Sequence, residues 1–388
     1  MRVCSILAAS AAFASRVHGL NILITNDDGF GTANIRELYK QMIALEHNCY
    51  IVAPVSDQSS MGGHTLFTSS PSLTTDSEWG IVKAGAPSAG TDPYDNHIWY
   101  YNGTPAAQVL VALDYILPTF ANFDTPDLVL SGPNFGWTLG PFLYTISGTI
   151  GATIAAIERG IPAIAFSSGN TIPTPYFWVN TTTKVGLQDP ATITARLASS
   201  LVQALIVKAN GAPVLPKGYG MTVNLPYITS YASDKCTNPP FVLSRMAQNA
   251  SMKVSYSSKT GLFGLSAEGN GLCLDGDCSL PIEKDVLNSH CMSAVTPFSV
   301  EYISTSYHGE CFNTTDVTAL VPIVVQTNVS TTPGGGLSAN ITIVGNVSVT
   351  PSVSVPPPAI TAITGMGVQA QWSASALMLC LGVAAFVL

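Results

Sequence analysis

The chain has 388 residues, with 15 lysines and arginines against 23 aspartates and glutamates, for a formal net charge of −8 at pH 7. That balance excludes a basic footprint for a nucleic-acid duplex. An acidic protein that handles anionic substrates needs a cation to bridge the like charges. The length between the two ends suits one large domain.

The first segment, residues 1–19, reads as a secretory signal peptide. Arg2 precedes the apolar run Val3 to Phe13, and small-x-small cleavage patterns stand at Ala12-Phe13-Ala14 and Val17-His18-Gly19. The domain then starts at residue 20 with an apolar, β-branched strand, Asn21-Ile-Leu-Ile-Thr25, that ends in Asn26, Asp27, Asp28 and Gly29. A helix follows, because Ile35, Leu38, Tyr39, Met42 and Ile43 recur at helical spacing. A second buried strand, Cys49 to Pro54, opens into a polar loop with Ser59 and Ser60. Residues 64–101 read as an excursion of hairpins, and Thr104-Pro105 starts a helix running to Ile116. The apolar strand Asp127 to Ser131 leads into Gly-Pro-Asn134-Phe-Gly136. A small-residue helix from Ser147 to Arg159, a strand Ile161 to Ser167, a helix Thr192 to Ala209 and an extended Met221 to Leu225 complete the alternation. Strands alternating with helices predict a mostly parallel sheet covered on both faces. Beyond Pro226 the pattern becomes irregular and cysteine-rich.

The C-terminal region differs in kind. Residues 326–365 are rich in Ser, Thr, Pro and Gly and hold three of the seven Asn-x-Ser/Thr sequons (Asn328, Asn340, Asn346). The other four are Asn102, Asn180, Asn249 and Asn313. This stretch reads as a glycosylated stalk after a domain spanning 20–325. Residues 366–388 end in an uninterrupted apolar run, too short to span a bilayer, that resembles a GPI-anchor signal. These features predict a secreted, cell-surface protein held to the membrane only by a lipid. In that compartment Cys49, Cys236, Cys273, Cys278, Cys291 and Cys311 are expected to form up to three disulfides.

Three strand ends bear polar groups: Asp27 and Asp28, then Ser59, then Asn134. Their hard oxygens suit Mg2+ or Mn2+ better than zinc. Asp27 and Asp28 could equally be a solvated turn that caps the next helix. Ser147-Gly148-Thr149-Ile-Gly151 can present helix-end amides to a phosphate, or can serve tight helix-to-sheet packing. His64, beside the Ser59 loop, could protonate a leaving group or be structural. Nucleophile-elbow, Walker and zincin motifs are missing from the sequence.

The ordered set Ile22-Leu-Ile-Thr-Asn-Asp-Asp-Gly29, Val52-Ala-Pro54 with Ser59, Asn102-Gly-Thr-Pro-Ala106, Pro126-Asp-Leu-Val-Leu-Ser-Gly-Pro-Asn134, Ser147-Gly-Thr-Ile-Gly-Ala152 and Gly160-Ile-Pro-Ala-Ile-Ala165 resembles the SurE-type survival-protein phosphatases and 5′-nucleotidases. The resemblance implies a Rossmann-like three-layer α/β sandwich and metal-dependent hydrolysis of phosphomonoesters such as nucleoside monophosphates. It places Asp27, Asp28, Ser59 and Asn134 around a divalent metal, with Asp27 and Asp28 catalytic. It places Asn26, Ser147, Gly148 and Thr149 against the phosphate, and it implies a homodimer or higher oligomer. Three departures stand out: Thr138 where the family has an asparagine, Ser60 where it has a glycine, and a sequon at Asn102. The competing expectation is a catalytically decayed surface glycoprotein that uses the fold as a binding scaffold.

Overall fold

The computed structural model describes residues 19–180, 188–229, 236–246, 252–267, 278–289, 291–300, 325–331 and 337–343. The signal-peptide reading up to residue 18, all of the anchor-signal tail and the sequons at Asn249, Asn313 and Asn346 fall outside these residues, as do Cys273 and Cys311. Strands β1 (Asn21–Thr25), β2 (Asn48–Pro54), β5 (Leu128–Phe135), β6 (Ala163–Ser168) and β7 (Tyr219–Leu225) follow the sequence expectation closely, whereas β3 (Ala89–Thr91) and β4 (Ile98–Tyr101) lie in the stretch read as hairpins: they pair antiparallel with each other, and β4 joins the sheet parallel to β2. The helices α1 (Ala33–Ala44), α2 (Pro105–Val111, continued by a π-turn and α3, Leu117–Phe120), α4 (Gly140–Ile146), α5 (Gly148–Glu158) and α6 (Pro190–Ala209) connect them.

Strand order along the central part is β7-β6-β5-β1-β2-β4, all parallel. Each strand alternates its side chains between two cores. Ile22 and Ile24 of β1 join Ile35, Leu38 and Met42 of α1 and Leu201 and Leu205 of α6. Leu23 joins Val109 of α2 and Ala152 and Ala156 of α5. Layers therefore stack as α1/α6, sheet, α2/α5, the three-layer α/β sandwich expected when parallel strands bury both faces. From β1 the chain moves outward through α1 to β2, whereas β5, on the other flank of β1, leads away through α4 and α5. The crevice beyond the carboxyl ends of β1 and β5 is thus a topological switch point, the place where such sheets bind ligands.

The region beyond Pro226 is less separate than its composition suggests. Strands β8 (Phe241–Leu243) and β11 (Ser293–Ser299) extend the same sheet, with β11 antiparallel to β7, and α7 (Glu283–Asn288) packs beside them. Strands β9 (Met252–Ser257) and β10 (Leu262–Ala267) form a separate antiparallel pair. Strands β12 (Val325–Thr331) and β13 (Leu337–Ile343) pair antiparallel at the sheet edge, inside the stretch read as stalk. Cys236 and Cys291 form a disulfide with Cα atoms 5.2 Å apart, and Cys278 is disulfide-bonded as well. Of the six cysteines expected to form up to three disulfides, Cys49 is one that does not pair. It is a free, wholly buried thiol in β2, part of the apolar layer under α1, and burial pushes its pKa up to about 12.

Candidate active site

The turn after β1 is built by Asn26. Its Oδ1 accepts from the Gly29 N–H at 3.2 Å, and its Nδ2 donates to Gly29 O at 3.1 Å and to Thr32 Oγ1 at 3.2 Å. Gly29 sits at φ 114°, a left-handed conformation that favours glycine. From the other face, Gln108 of α2 donates to Thr25 Oγ1 at 2.7 Å and to Asn26 O at 2.6 Å. The strand end is gripped on both sides, so the next two side chains leave it in fixed directions.

Asp27 and Asp28 are nearly solvent-free, at 2% and 4% exposure. Asp27 points toward α5. Its Oδ1 accepts from the Thr149 hydroxyl at 2.6 Å and its Oδ2 from the Thr149 N–H at 3.0 Å. Asp28 points toward the end of β5, where the Phe135 N–H donates to its Oδ2 at 3.2 Å. Burial raises both carboxyl pKa values. Asp27 is raised despite the Thr149 bonds, and Asp28 rises well above the usual range because the Asp27 charge adds to its burial. No lysine, arginine or histidine forms an ion pair with either among the described residues.

Ser59 and Asn134 arrive through their neighbours. The Gln58 N–H donates to Asp27 O at 2.8 Å, pinning the loop after β2, and the exposed Ser59 is oriented by its own N–H on Asp57 Oδ1 at 2.8 Å. Asn134 directly precedes the Phe135 amide that holds Asp28, and its Nδ2 donates to Gly136 O at 2.8 Å. Asn34 of α1 steadies that loop by donating to Pro133 O at 3.0 Å. Ser59 and Asn134 thus each directly adjoin, in the chain, a residue whose backbone bonds to the Asp27–Asp28 turn.

Tight packing explains both glycines of Ser147-Gly-Thr-Ile-Gly151. A Cβ on Gly148 would lie 2.8 Å from both Asp27 Cβ and Pro105 Cγ, and one on Gly151 would collide with Gly62 O. Ser147 caps α5, accepting from the Ile150 N–H at 3.3 Å. Asn26 and Thr149, expected against phosphate, have their polar atoms engaged within the protein and shape the carboxylate pair instead. Thr138 is buried, with its hydroxyl 3.2 Å from Ser167 Oγ and its backbone bonded to the Asn224 side chain, so the departure from asparagine sits in an internal network. Ser60 adopts φ 66°, which accounts for glycine being usual there. His64 is exposed and bonds only through its backbone atoms.

Sequence reasoning missed Gln108 and Asn34. A polar residue inside the apolar run Ala106-Ala-Gln-Val-Leu110 is the one signal that marked Gln108. Two adjacent buried carboxylates without a protein cation fit a divalent metal, and the hydroxyl and carboxamide oxygens beside them are hard donors of the matching kind. Among the described residues no three Asp, Glu, His or Cys side chains form a complete cage, so a cation here would keep open positions for water and substrate.

The family described as survival protein SurE matches residues 22–253 of the chain. An acid phosphatase of Yarrowia lipolytica is 39% identical over 289 residues, covering 72% of this chain and 79% of that protein. A 5′-nucleotidase SurE of Desulfovibrio desulfuricans is 38% identical over 159 residues, 40% of this chain and 53% of that protein. The crystal structure of the SurE protein from Aquifex aeolicus shares the fold, with a TM-score of 0.51 at 21% identity over 73% of this chain and 95% of that one. The matched span contains both flanks of the switch-point crevice, and on that footing the chain belongs to the SurE family.

Proposed function

We propose that this chain is a divalent-metal-dependent phosphomonoesterase that acts outside the cell on small substrates such as nucleoside monophosphates. The hydrolase class rests on family membership, with relatives named acid phosphatase and 5′-nucleotidase. The observation that carries metal dependence is the buried Asp27–Asp28 pair, which has no counter-cation among the described residues. Asp27, Asp28, Ser59 and Asn134 would hold the ion. When bound there, a divalent cation neutralises phosphate charge and lowers the pKa of water.

The chain's own residues do the rest. Asp27, bonded on both oxygens by Thr149, is the fixed member of the pair. Asp28 carries a single hydrogen bond, from the Phe135 N–H, so it can orient the attacking water and take its proton. Ser147 and Gly148, which open α5 beside Asp27, would supply polar backbone contacts to the phosphate. Nothing in the fold requires a covalent intermediate. The extracellular reading rests on the signal-like leader, the sequons and the disulfide.

The test is phosphate release from p-nitrophenyl phosphate and from nucleoside monophosphates, first with EDTA and then with added Mg2+ or Mn2+. Turnover abolished by EDTA and restored by metal is expected. Folded protein that is inactive with every metal would shift the reading to a binding scaffold.

A further inference from the structure

The segment beyond the family-matched residues reaches back into the catalytic half of the molecule. Glu283, at the start of α7, is wholly buried. Its Oε1 accepts from the Gly140 N–H, the first amide of α4, and its Oε2 accepts from the Tyr144 hydroxyl at 3.4 Å and the Thr296 hydroxyl at 3.3 Å. All three partners are donors, so the site suits a carboxylate rather than an amide. Val286 and Leu287 of α7 pack against Leu139, the residue just before α4. The disulfide Cys236–Cys291 ties this segment down on both sides of β8 and α7.

Helix α4 in turn touches both halves of the crevice. At its carboxyl end Ile146 O accepts from the Gly62 N–H at 2.8 Å, anchoring the loop that contains Ser59. Ser147 follows at once and caps α5, whose Gly148 and Thr149 press on Asp27. A shift of α4 must therefore move the Ser59 loop and the Asp27 clamp together.

We propose that Glu283 is a positioning residue for the phosphatase site. It clamps the start and the middle of α4, so that the C-terminal elaboration holds the Ser59 loop and the Ser147–Thr149 turn in register with Asp27. The proposal rests on the phosphatase reading for its kinetic consequence, but the mechanical coupling can be measured without it.

The experiment compares full-length wild type with Glu283→Gln, Tyr144→Phe and Thr296→Val. Two readouts are used: metal-activated turnover of p-nitrophenyl phosphate, and amide hydrogen exchange followed by mass spectrometry. Glu283→Gln is expected to lower kcat by about 10-fold to 100-fold, the scale of an ångström-level misplacement. It should also speed exchange in residues 58–63 and 140–151 while leaving β1 and α6 protected. Tyr144→Phe, on the α4 side of the carboxylate, should show a weaker form of both effects. Thr296→Val, on the β11 side, should show neither. A purely structural role would lower thermal stability and loosen the fold broadly, with kcat unchanged at temperatures where the variant is folded, and that result overturns the proposal. If Glu283→Gln does not fold, Tyr144→Phe indistinguishable from Thr296→Val is the overturning outcome. If wild type itself shows no turnover, the phosphatase reading fails, while the exchange pattern still decides the coupling.

Discussion

Two pairs of buried charged groups lie at the amino end of α1, and they are built oppositely. Arg36 and Asp92 are both nearly solvent-free, and their ion pair is 2.5 Å long. The guanidinium also donates to Phe30 O at 2.6 Å and lies 4.5 Å over the Tyr176 ring, while Asp92 accepts from the Tyr94 N–H. Every charge there has an opposite partner, which is how a buried ion is normally tolerated. Asp27 and Asp28 are two like charges side by side with hydrogen bonds and, among the described residues, no cationic side chain paired to them. The first arrangement holds the segment around Asp92, within the excursion 64–101, onto α1. The second leaves an electrostatic demand that a divalent ion meets, so stability is sacrificed at the site and recovered on binding.

The contrast is broken most severely by Asp27→Asn, which should reduce metal-dependent turnover by about 10³-fold or more at unchanged fold, as read from kcat and circular dichroism. Near-wild-type activity would remove Asp27 from the mechanism. Arg36→Met should destabilise by about 3–5 kcal/mol in urea denaturation, because it strands Asp92 uncompensated. Asp28→Asn should act with the opposite sign, stabilising the metal-free protein by about 1 kcal/mol while it loses activity, since it relieves the like-charge pair. Equal destabilisation by both substitutions would mean the two regions are not different in kind. Thr149→Val deletes one of the two bonds on Asp27 and should cost about 10-fold to 100-fold in activity or metal affinity.

The smallest effect sharpens the comparison with a buried group that stays uncharged. Burial lowers the His47 pKa from 6.5, and its Nδ1 accepts from the Leu20 N–H at 3.0 Å, a bond that an imidazolium cannot accept. The unfolded chain therefore binds more protons near pH 6, and the stability His47 contributes is present above 6.5 and lost as pH falls from there through the lowered folded-state pKa. Melting temperature against pH should fall less steeply below 6.5 in His47→Gln than in wild type. A parallel profile would place the acid sensitivity elsewhere.

Most of the strands and helices positioning the site could be read from local pattern. The apolar alternation of Ile22 to Ile24 and the helical spacing of Ile35, Leu38 and Met42 are consequences of which faces must be buried, and they survive into the structure unchanged. Helix α4 escaped notice because Gly140-Pro-Phe-Leu-Tyr-Thr-Ile146 is short and has no clean periodicity; it is held by Glu283, more than a hundred residues away. Compartment and count make Cys49 one of six candidates for up to three disulfides, but its place in a central strand between β1 and β4 puts it in the apolar core.

By itself the sequence determined the fold class, because burial periodicity dictates it, and the family, because an ordered set of motifs carries the resemblance; it named Asp27, Asp28, Ser59 and Asn134 only as candidates. Only the tertiary structure decided what each polar atom does. Thr149 turned inward to clamp Asp27, Gln108 gripped the strand end, and Glu283 reached α4, since hydrogen bonds between residues 82 to 143 positions apart leave no periodic trace in a chain.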